Sequence, residues 1–291
     1  MSSSVLLTWL RPWEISWIAM ATCCTALLLF FIGGRAIPLR SRPSIWRQLS
    51  FYCGLVLVYA ALQTRLDFAA QHMFWVHRLQ HLILHHLGPF LICLAAPWPT
   101  MANGLPWRCR PVLKQAREWP PIRTAYRLLQ QPIVAPVIFV GLIYFWLWPP
   151  IHFRAMLNAR EYLGMNWSML IDGMLFWWLI LDPRSVEEGA RCRFGFRIAI
   201  VLLAAPPQIL IGAYLFLHLH VIYDVYAICG RLWAVDPIVD QQIGGLITWI
   251  PTSMMSIVAT LIVWRRWMYE DDRTRKRAAD PGGAVIAAPT A

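Results

Sequence analysis

The chain has 291 residues, of which 58% are apolar and only 14% are charged. A soluble globular chain carries about 25% charged residues, so this composition excludes a soluble enzyme, a disulfide-stapled secreted domain and a disordered polypeptide. The net charge of +11 does not indicate nucleic-acid binding, because the basic residues, nearly all of them arginine, lie in short loops between apolar segments and form no continuous basic face.

Seven apolar segments reach the length that crosses a bilayer, roughly 20 residues. The sequence therefore predicts an all-α, polytopic membrane protein, with a single seven-helix transmembrane domain over residues 1–277. The segment 278–291 is too poor in core-forming residues to fold and is predicted to be a disordered cytoplasmic tail. The seven predicted spans are 13–32, 48–66, 71–98, 133–149, 163–181, 198–220 and 243–264.

The arginines alternate between the two ends of these spans. Twenty of the 26 basic residues lie in segments 33–47, 99–132, 182–197 and 265–277. The positive-inside rule then predicts a periplasmic N-terminus and a cytoplasmic C-terminus. Four arginines follow the first span within fifteen residues, so we expect that span to be a retained helix and not a cleaved signal peptide.

All eight histidines fall on the outer side of this topology or within the outer part of a span. In the third span His77, His81 and His85 are spaced by four, which on a regular helix forms one slanted stripe. Two imidazoles one turn apart can hold one metal ion, and nearby thioethers such as Met73 and Met169 would favour Cu(I). The alternative is that each histidine only hydrogen-bonds a neighbouring helix.

Three further residues are candidate metal ligands near the outer surface. His72 lies at the outer end of the third span, and His218, with its neighbour His220, ends the sixth. Asp240 precedes the seventh span and could collect cations above the histidines. A solvated histidine and a helix-capping aspartate are the alternatives.

Three other polar residues are expected to be buried within or beside the spans: Arg78, Asp172 and Gln241. An isolated intramembrane charge is costly and needs a partner. Arg78 is a candidate partner for Asp172, and a structural ion pair is the interpretation that we favour.

Three stretches together resemble one known family. The segment His-Arg-Leu-Gln-His from His77 resembles the His-Met-x-Gln-His signature of CtaG-type cytochrome c oxidase assembly factors, a polytopic seven-helix family. Gly173-Met-Leu-Phe-Trp-Trp and Asp240-Gln-Gln-Ile-Gly-Gly are similar to two further family stretches. The resemblance covers the third to the seventh span.

This resemblance implies a multi-pass protein of the bacterial inner membrane that assembles a haem–copper oxidase, with copper delivered to the oxidase's buried copper centre. The implied partners are an oxidase subunit or another copper chaperone, besides the lipid bilayer. The family signature carries over to His77, Gln80, His81 and Asp240. Arg78 stands where methionine is common, and Asn166 stands where we expect a histidine.

Two alternative functions remain open from the sequence. One is a redox protein that holds haem between a histidine of the third span and one of the sixth. The other is a metal or proton transporter, although the inner halves of the spans carry few polar groups. The sequence contains no phosphate-binding loop and no nucleophile–base pair, so we expect a non-enzymatic protein.

Overall fold

The computed structural model describes residues 14–279, which form helices and contain no β-strand. The last helix continues to Ala279, and the remainder of the predicted tail, residues 280–291, lies outside the described residues. The helices are α1 (Trp17–Ala36), α2 (Ile45–Gln63), α3 (Arg65–His72), α4 (Phe74–His81), a π-helical turn (Leu82–Leu87), α5 (Gly88–Leu94), α6 (Trp98–Gly104), α7 (Cys109–Glu118), α8 (Pro120–Leu129), α9 (Val134–Leu147), α10 (Pro149–Leu157), α11 (Ala159–Leu181), α12 (Phe194–Leu217), α13 (Val225–Ile228) and α14 (Pro237–Ala279).

Among the described residues, four helices are long and apolar enough to cross a membrane: α1, α2, α12 and the segment Pro237–Lys276 of α14. Two bent pairs raise the number to six if each is one span: Phe74–Leu94 with α6, and α8 with α9. The remaining predicted span lies in α11, where Asn166, Ser168 and Asp172 lower the mean hydropathy. A multi-pass membrane protein is confirmed, while the number seven and the orientation of the termini stay predictions.

The prediction of one continuous helix over 71–98 is wrong. The chain is extended at Met73, which separates α3 from α4, and residues 82–87 form a π-helical turn. Pro89 explains the turn, because proline has no N–H to donate to the carbonyl of His85 four residues earlier, and its ring would clash with that carbonyl. The indole Nε1 of Trp177 donates to the freed His85 carbonyl instead (3.2 Å).

Helix α11 packs closely against this π-helical turn at Gly173. A Cβ atom at this position would overlap the carbonyl of His85 and lie 3.0 Å from its Cα. Glycine is therefore required for the approach that brings Asp172 and Trp177 to His85. Helix α14 uses Gly245 in the same way, since its Cβ would lie 2.7 Å from the backbone nitrogen of Phe216 in α12.

The polar residues of the bundle concentrate at the end where α4 begins, which we call the histidine end. Helices α3, α10, α13 and the start of α14 meet there around the first turns of α4. Helices α6, α7 and α8 follow the other end of α5 and lie at the opposite end of the bundle.

The substitution Gly173→Ala tests the close approach of α11 to the π-helical turn. The added methyl group must displace the His85 backbone, so we expect a loss of about 1–3 kcal/mol in the free energy of unfolding, typical of overpacking. Thermal unfolding of the purified protein in detergent micelles measures this loss. Gly164→Ala in the same helix is the matched control, because a Cβ there meets nothing within 4 Å. Equal melting temperatures for the two variants would contradict the packing described here.

Candidate functional site

His77 and His81 form a buried pair of imidazoles near the histidine end. Their ring centroids lie 4.2 Å apart, one turn apart on α4, and both residues are almost completely excluded from solvent. Neither ring nitrogen of His77 has a hydrogen-bond partner among the described residues, and Nε2 of His81 makes no hydrogen bond of normal geometry there, although the Asn166 side chain lies beside His81. Buried polar atoms are normally satisfied, so these three nitrogens are candidates for binding a ligand.

His152 and Tyr226 form a wall beside this pair. The ring of His152 lies 5.2 Å from that of His77, and burial lowers the pKa of His152 to about 4, so the imidazole is neutral. Its Nδ1 lies 3.0 Å from the Trp146 carbonyl, which can only accept, so Nδ1 carries the proton. Nε2 then accepts from the Tyr226 hydroxyl (3.0 Å). Both nitrogens of His152 are occupied, and this histidine is a structural support and not a free ligand.

A hydrogen-bond network holds the opposite side of the pair. The Tyr162 hydroxyl donates to Asp67 Oδ1 (2.9 Å), and Gln80 Nε2 donates to the same oxygen (2.7 Å) and to the Ala61 carbonyl. Burial raises the pKa of the Asp67 carboxyl to about 6, while the hydrogen bonds from Tyr162 and Gln80 oppose the rise. The network fixes the glutamine of the family signature and places the Tyr162 ring 6.1 Å from His77.

The expected pairing of Arg78 with Asp172 is wrong. Arg78 Nε donates to Thr248 Oγ1 (2.9 Å) and Nη1 to His81 Nδ1 (3.4 Å). Asp172 Oδ2 accepts from His85 Nε2 (2.9 Å). The π-helical turn is the physical reason, since it rotates His85 towards α11 while Arg78 remains in the regular part of α4, facing α14.

His85 and His86 form a second histidine pair, with ring centroids 5.0 Å apart and perpendicular ring planes. A small cavity of about 10 Å³ separates this pair from His81, and Arg78 and Thr252 also line it. His85 has the hydrogen-bond arrangement typical of a metal-binding histidine. Its Nε2 donates to the Asp172 carboxylate, while its Nδ1 has no partner among the described residues. The single predicted stripe is therefore divided into two pairs by the π-helical turn.

Asp240 joins the last helix to the start of α4. Its two carboxylate oxygens accept from the backbone nitrogens of Phe74 (3.2 Å) and Trp75 (2.8 Å), and Oδ2 also contacts Arg231 Nη1 (2.5 Å). Free N–H groups at a helix N-terminus and the helix dipole both favour a carboxylate there. Asp240 therefore caps a helix, which was the alternative to metal binding predicted from the sequence. The helix that it caps is α4 and not α14.

Gln241 closes the neighbouring loop. Its Oε1 accepts from the Ile222 nitrogen (2.8 Å), and its Nε2 donates to the His220 carbonyl (3.1 Å). The predicted burial of Gln241 is observed, with 2% of its surface exposed. The Asp-Gln-Gln-x-Gly-Gly stretch therefore organises the histidine end through backbone contacts.

The structure does not bring the remaining histidine candidates to the His77 ring. His72 is partly exposed, packs on Phe68 and contacts its carbonyl through Nδ1 (2.8 Å). The ring of His218 lies against Tyr214 and His220, and both histidines reach solvent.

The described residues contain no group of three or more His, Cys, Asp or Glu side chains arranged to hold a metal ion. His77 offers one imidazole ligand, and His81 offers a second once its proton moves from Nε2 to Nδ1; two such ligands suit a low-coordinate soft ion better than a four-coordinate structural zinc. Met165 and Met169 are buried in the same apolar cluster as Phe74, next to α4.

Sequence reasoning missed Asp67, Tyr162, His152 and Tyr226. Asp67 falls between two predicted spans, His152 and Tyr162 lie ten residues apart on consecutive helices, and Tyr226 follows 64 residues later. Two signals were available in the sequence: Asp67 is an isolated acid between two apolar spans, and His152 belongs to the group of histidines on the outer side.

The model of the cytochrome c oxidase caa3 assembly factor family matches residues 28–270, which include every element of the site. No solved structure matches the chain.

Similar proteins occur in mycobacteria. An uncharacterized protein of Mycobacterium bovis and one of Mycobacterium tuberculosis are each 25% identical over 249 residues, covering 82% of this chain and 37% of their own length. An uncharacterized protein of Mycobacterium leprae is 22% identical over 241 residues, covering 80% of this chain and 36% of its own. The chain thus spans little more than a third of the length of these relatives.

The substitution Asp240→Asn tests the link between α14 and α4. It leaves Arg231 and the N-terminus of α4 without their shared carboxylate, so we expect a loss of about 3 kcal/mol in the free energy of unfolding. Thermal unfolding in micelles provides the measurement. Asp224→Asn is the control, because Asp224 is exposed and caps no helix through its side chain. A melting temperature for Asp240→Asn equal to that of the control would refute the capping role.

Proposed function

Because this chain belongs to the cytochrome c oxidase caa3 assembly factor family, we propose that it binds copper at the histidine end and delivers it to the copper centre of the oxidase. The observation that carries the proposal is the His77–His81 pair. Three of its four ring nitrogens are buried and make no hydrogen bond of normal geometry among the described residues, in a family whose task is to assemble a copper-containing enzyme.

The proposed cargo is Cu(I), held by two imidazoles. His77 offers either nitrogen. Because His81 Nδ1 accepts from Arg78, its Nε2 carries the proton, and Nε2 binds the ion only after the proton moves to Nδ1 and the hydrogen bond from Arg78 is given up. The surrounding network of Asp67, Gln80 and Tyr162 holds α4 in position and excludes water, which protects a reduced ion from oxidation. Two donors bind loosely enough for the ion to be passed on, whereas a closed four-ligand site would retain it.

The membrane arrangement that we propose has seven spans. Helix α11 is the seventh, although its polar residues lower its mean hydropathy. The N-terminus and the histidine end face the periplasm, and α14 ends in the cytoplasm, in agreement with the positions of the arginines. The protein then resides in the bacterial inner membrane, and its partners are an oxidase subunit and a copper chaperone that supplies the ion.

Copper binding by the purified protein tests the proposal directly. We expect anaerobic titration with Cu(I) against a chromogenic chelator to show one ion per chain. The double variant His77→Ala/His81→Ala should lose that ion, and His218→Ala/His220→Ala, at the same end but far from the pair, should keep it. Arg78→Met should bind roughly tenfold more tightly, since the variant removes a positive charge that lies 3.4 Å from His81. Equal copper content in the wild type and the His77/His81 variant would refute the proposal.

The oxidase itself supplies the second test. Cells that carry only the His77→Ala/His81→Ala variant should assemble an oxidase with its haem groups but about tenfold less copper, because delivery fails while the protein still folds. Metal analysis and haem spectra of the isolated oxidase measure the two quantities. Loss of the whole oxidase complex would favour a scaffolding role, and an oxidase with full copper would contradict delivery.

A further inference from the structure

Two short helices at the end of the bundle opposite the histidines share an unusual surface. Helices α7 and α8 contain no buried residue, although each carries apolar side chains at positions i, i+3, i+4 and i+7. On a helix these positions lie within about 100° of one another, so each helix has one apolar face. The apolar faces consist of Cys109, Val112, Leu113 and Ala116 in α7, and of Ile122, Ala125, Tyr126 and Leu129 in α8.

The basic residues of the two helices lie together along one flank of each apolar face. In α7 Arg110, Lys114 and Arg117 lie within about 60° of one another, and in α8 Arg123 and Arg127 occupy the equivalent positions. With Arg108, the segment 105–129 contains six basic residues and a single acidic one, Glu118. All six basic side chains are exposed.

The geometry of the chain orients α8 relative to the bilayer. Helix α9 is apolar and packs against α11 and α12 as part of the bundle, and α8 is bent by 75° from it. A helix nearly perpendicular to a spanning helix lies close to the membrane plane. Arg123 and Arg127 oppose insertion of α8 across the hydrocarbon core, so the boundary between headgroups and acyl chains is the position that satisfies both faces.

Two tryptophans stand at the starts of these helices. Trp107 is 73% exposed just before α7, and Trp119, which precedes α8, is 58% exposed. Exposed tryptophans are typical of the membrane–water interface, where the ring is apolar and the indole N–H is hydrated. Within the protein, the Arg108 guanidinium lies 5.2 Å from the ring of Trp107 and that of Arg191 lies 5.7 Å from the ring of Tyr126.

We propose that residues 105–129 form a membrane-surface module that binds anionic phospholipid headgroups. Its apolar faces enter the acyl-chain boundary, and its arginines and Lys114 bind headgroup phosphates. Basic amphipathic helices with aromatic anchors bind such surfaces by this combination of burial and charge. The module is independent of the proposed copper site. It orients the bundle by binding the lipid headgroups at the end away from the histidines.

Site-directed spin labelling of the full-length protein in lipid nanodiscs tests the proposal. The native cysteines are replaced by alanine, and one nitroxide is placed at Val112 on the apolar face or at Gln115 on the other side of α7. With phosphatidylglycerol present, we expect the Val112 label to be at least about threefold more accessible to oxygen, relative to a water-soluble nickel reagent, than the Gln115 label. Equal, water-like accessibility at both positions would overturn the proposal and would leave this face to a protein partner.

Native mass spectrometry of the chain with its natural cysteines provides a measurement that needs no label. The ratio of bound phosphatidylglycerol to phosphatidylcholine should fall about threefold or more in Arg110→Gln/Lys114→Gln/Arg117→Gln. The matched control, Arg65→Gln/Arg154→Gln/Arg160→Gln, removes three exposed charges at the histidine end and should leave the ratio unchanged. Equal ratios in the two triple variants would also overturn the proposal.

Discussion

The carboxylate of Asp240 at the N-terminus of α4 is the contact on which the arrangement of the site depends. Helix α4 begins abruptly after the extended residue Met73, so its first N–H groups have no partner within the helix. Asp240 supplies that partner from a helix more than 160 residues later in the chain. The same contact places Thr248, about two turns beyond Asp240 on α14, beside Arg78, and so sets the direction in which the histidines of α4 point.

A second constraint acts one turn beyond the histidine pair. Pro89 cannot donate to the carbonyl of His85, and inside a bilayer no water is available to satisfy that oxygen. The chain adopts a π-helical turn, and Trp177 supplies the missing donor. Gly173 makes the approach possible, and Asp172 then reaches His85. Two of the family stretches thus contact the helix that carries the third, because Trp177 satisfies the His85 carbonyl and Asp240 satisfies the first N–H groups of α4.

The two ends of the bundle divide the chemistry between them. The histidine end contains neutral imidazoles, tyrosines and amides held by buried hydrogen bonds, which suits the transient binding of a small soft ion. The other end carries exposed arginines on α7 and α8, and α8 is bent by 75° from the bundle helix α9. Buried polar order at one end and exposed charge at the other are what the two proposals, copper binding and anionic-lipid binding, each require.

The class of the protein and its main candidates were predictable from residue types alone. Long apolar segments indicate membrane spans, and the spacing of His77 and His81 indicates a pair on one helix face, because these properties depend only on local periodicity. The partners of His85 were not predictable in this way: Pro89 explains the π-helical turn locally, but Trp177 and Asp172, which contact His85, lie on another helix. For the same reason Asp172 pairs with His85 and not with Arg78, and His152 becomes a support for His77. Which polar groups meet in a bilayer is decided by helix packing, because every buried group must find its partner across the bundle.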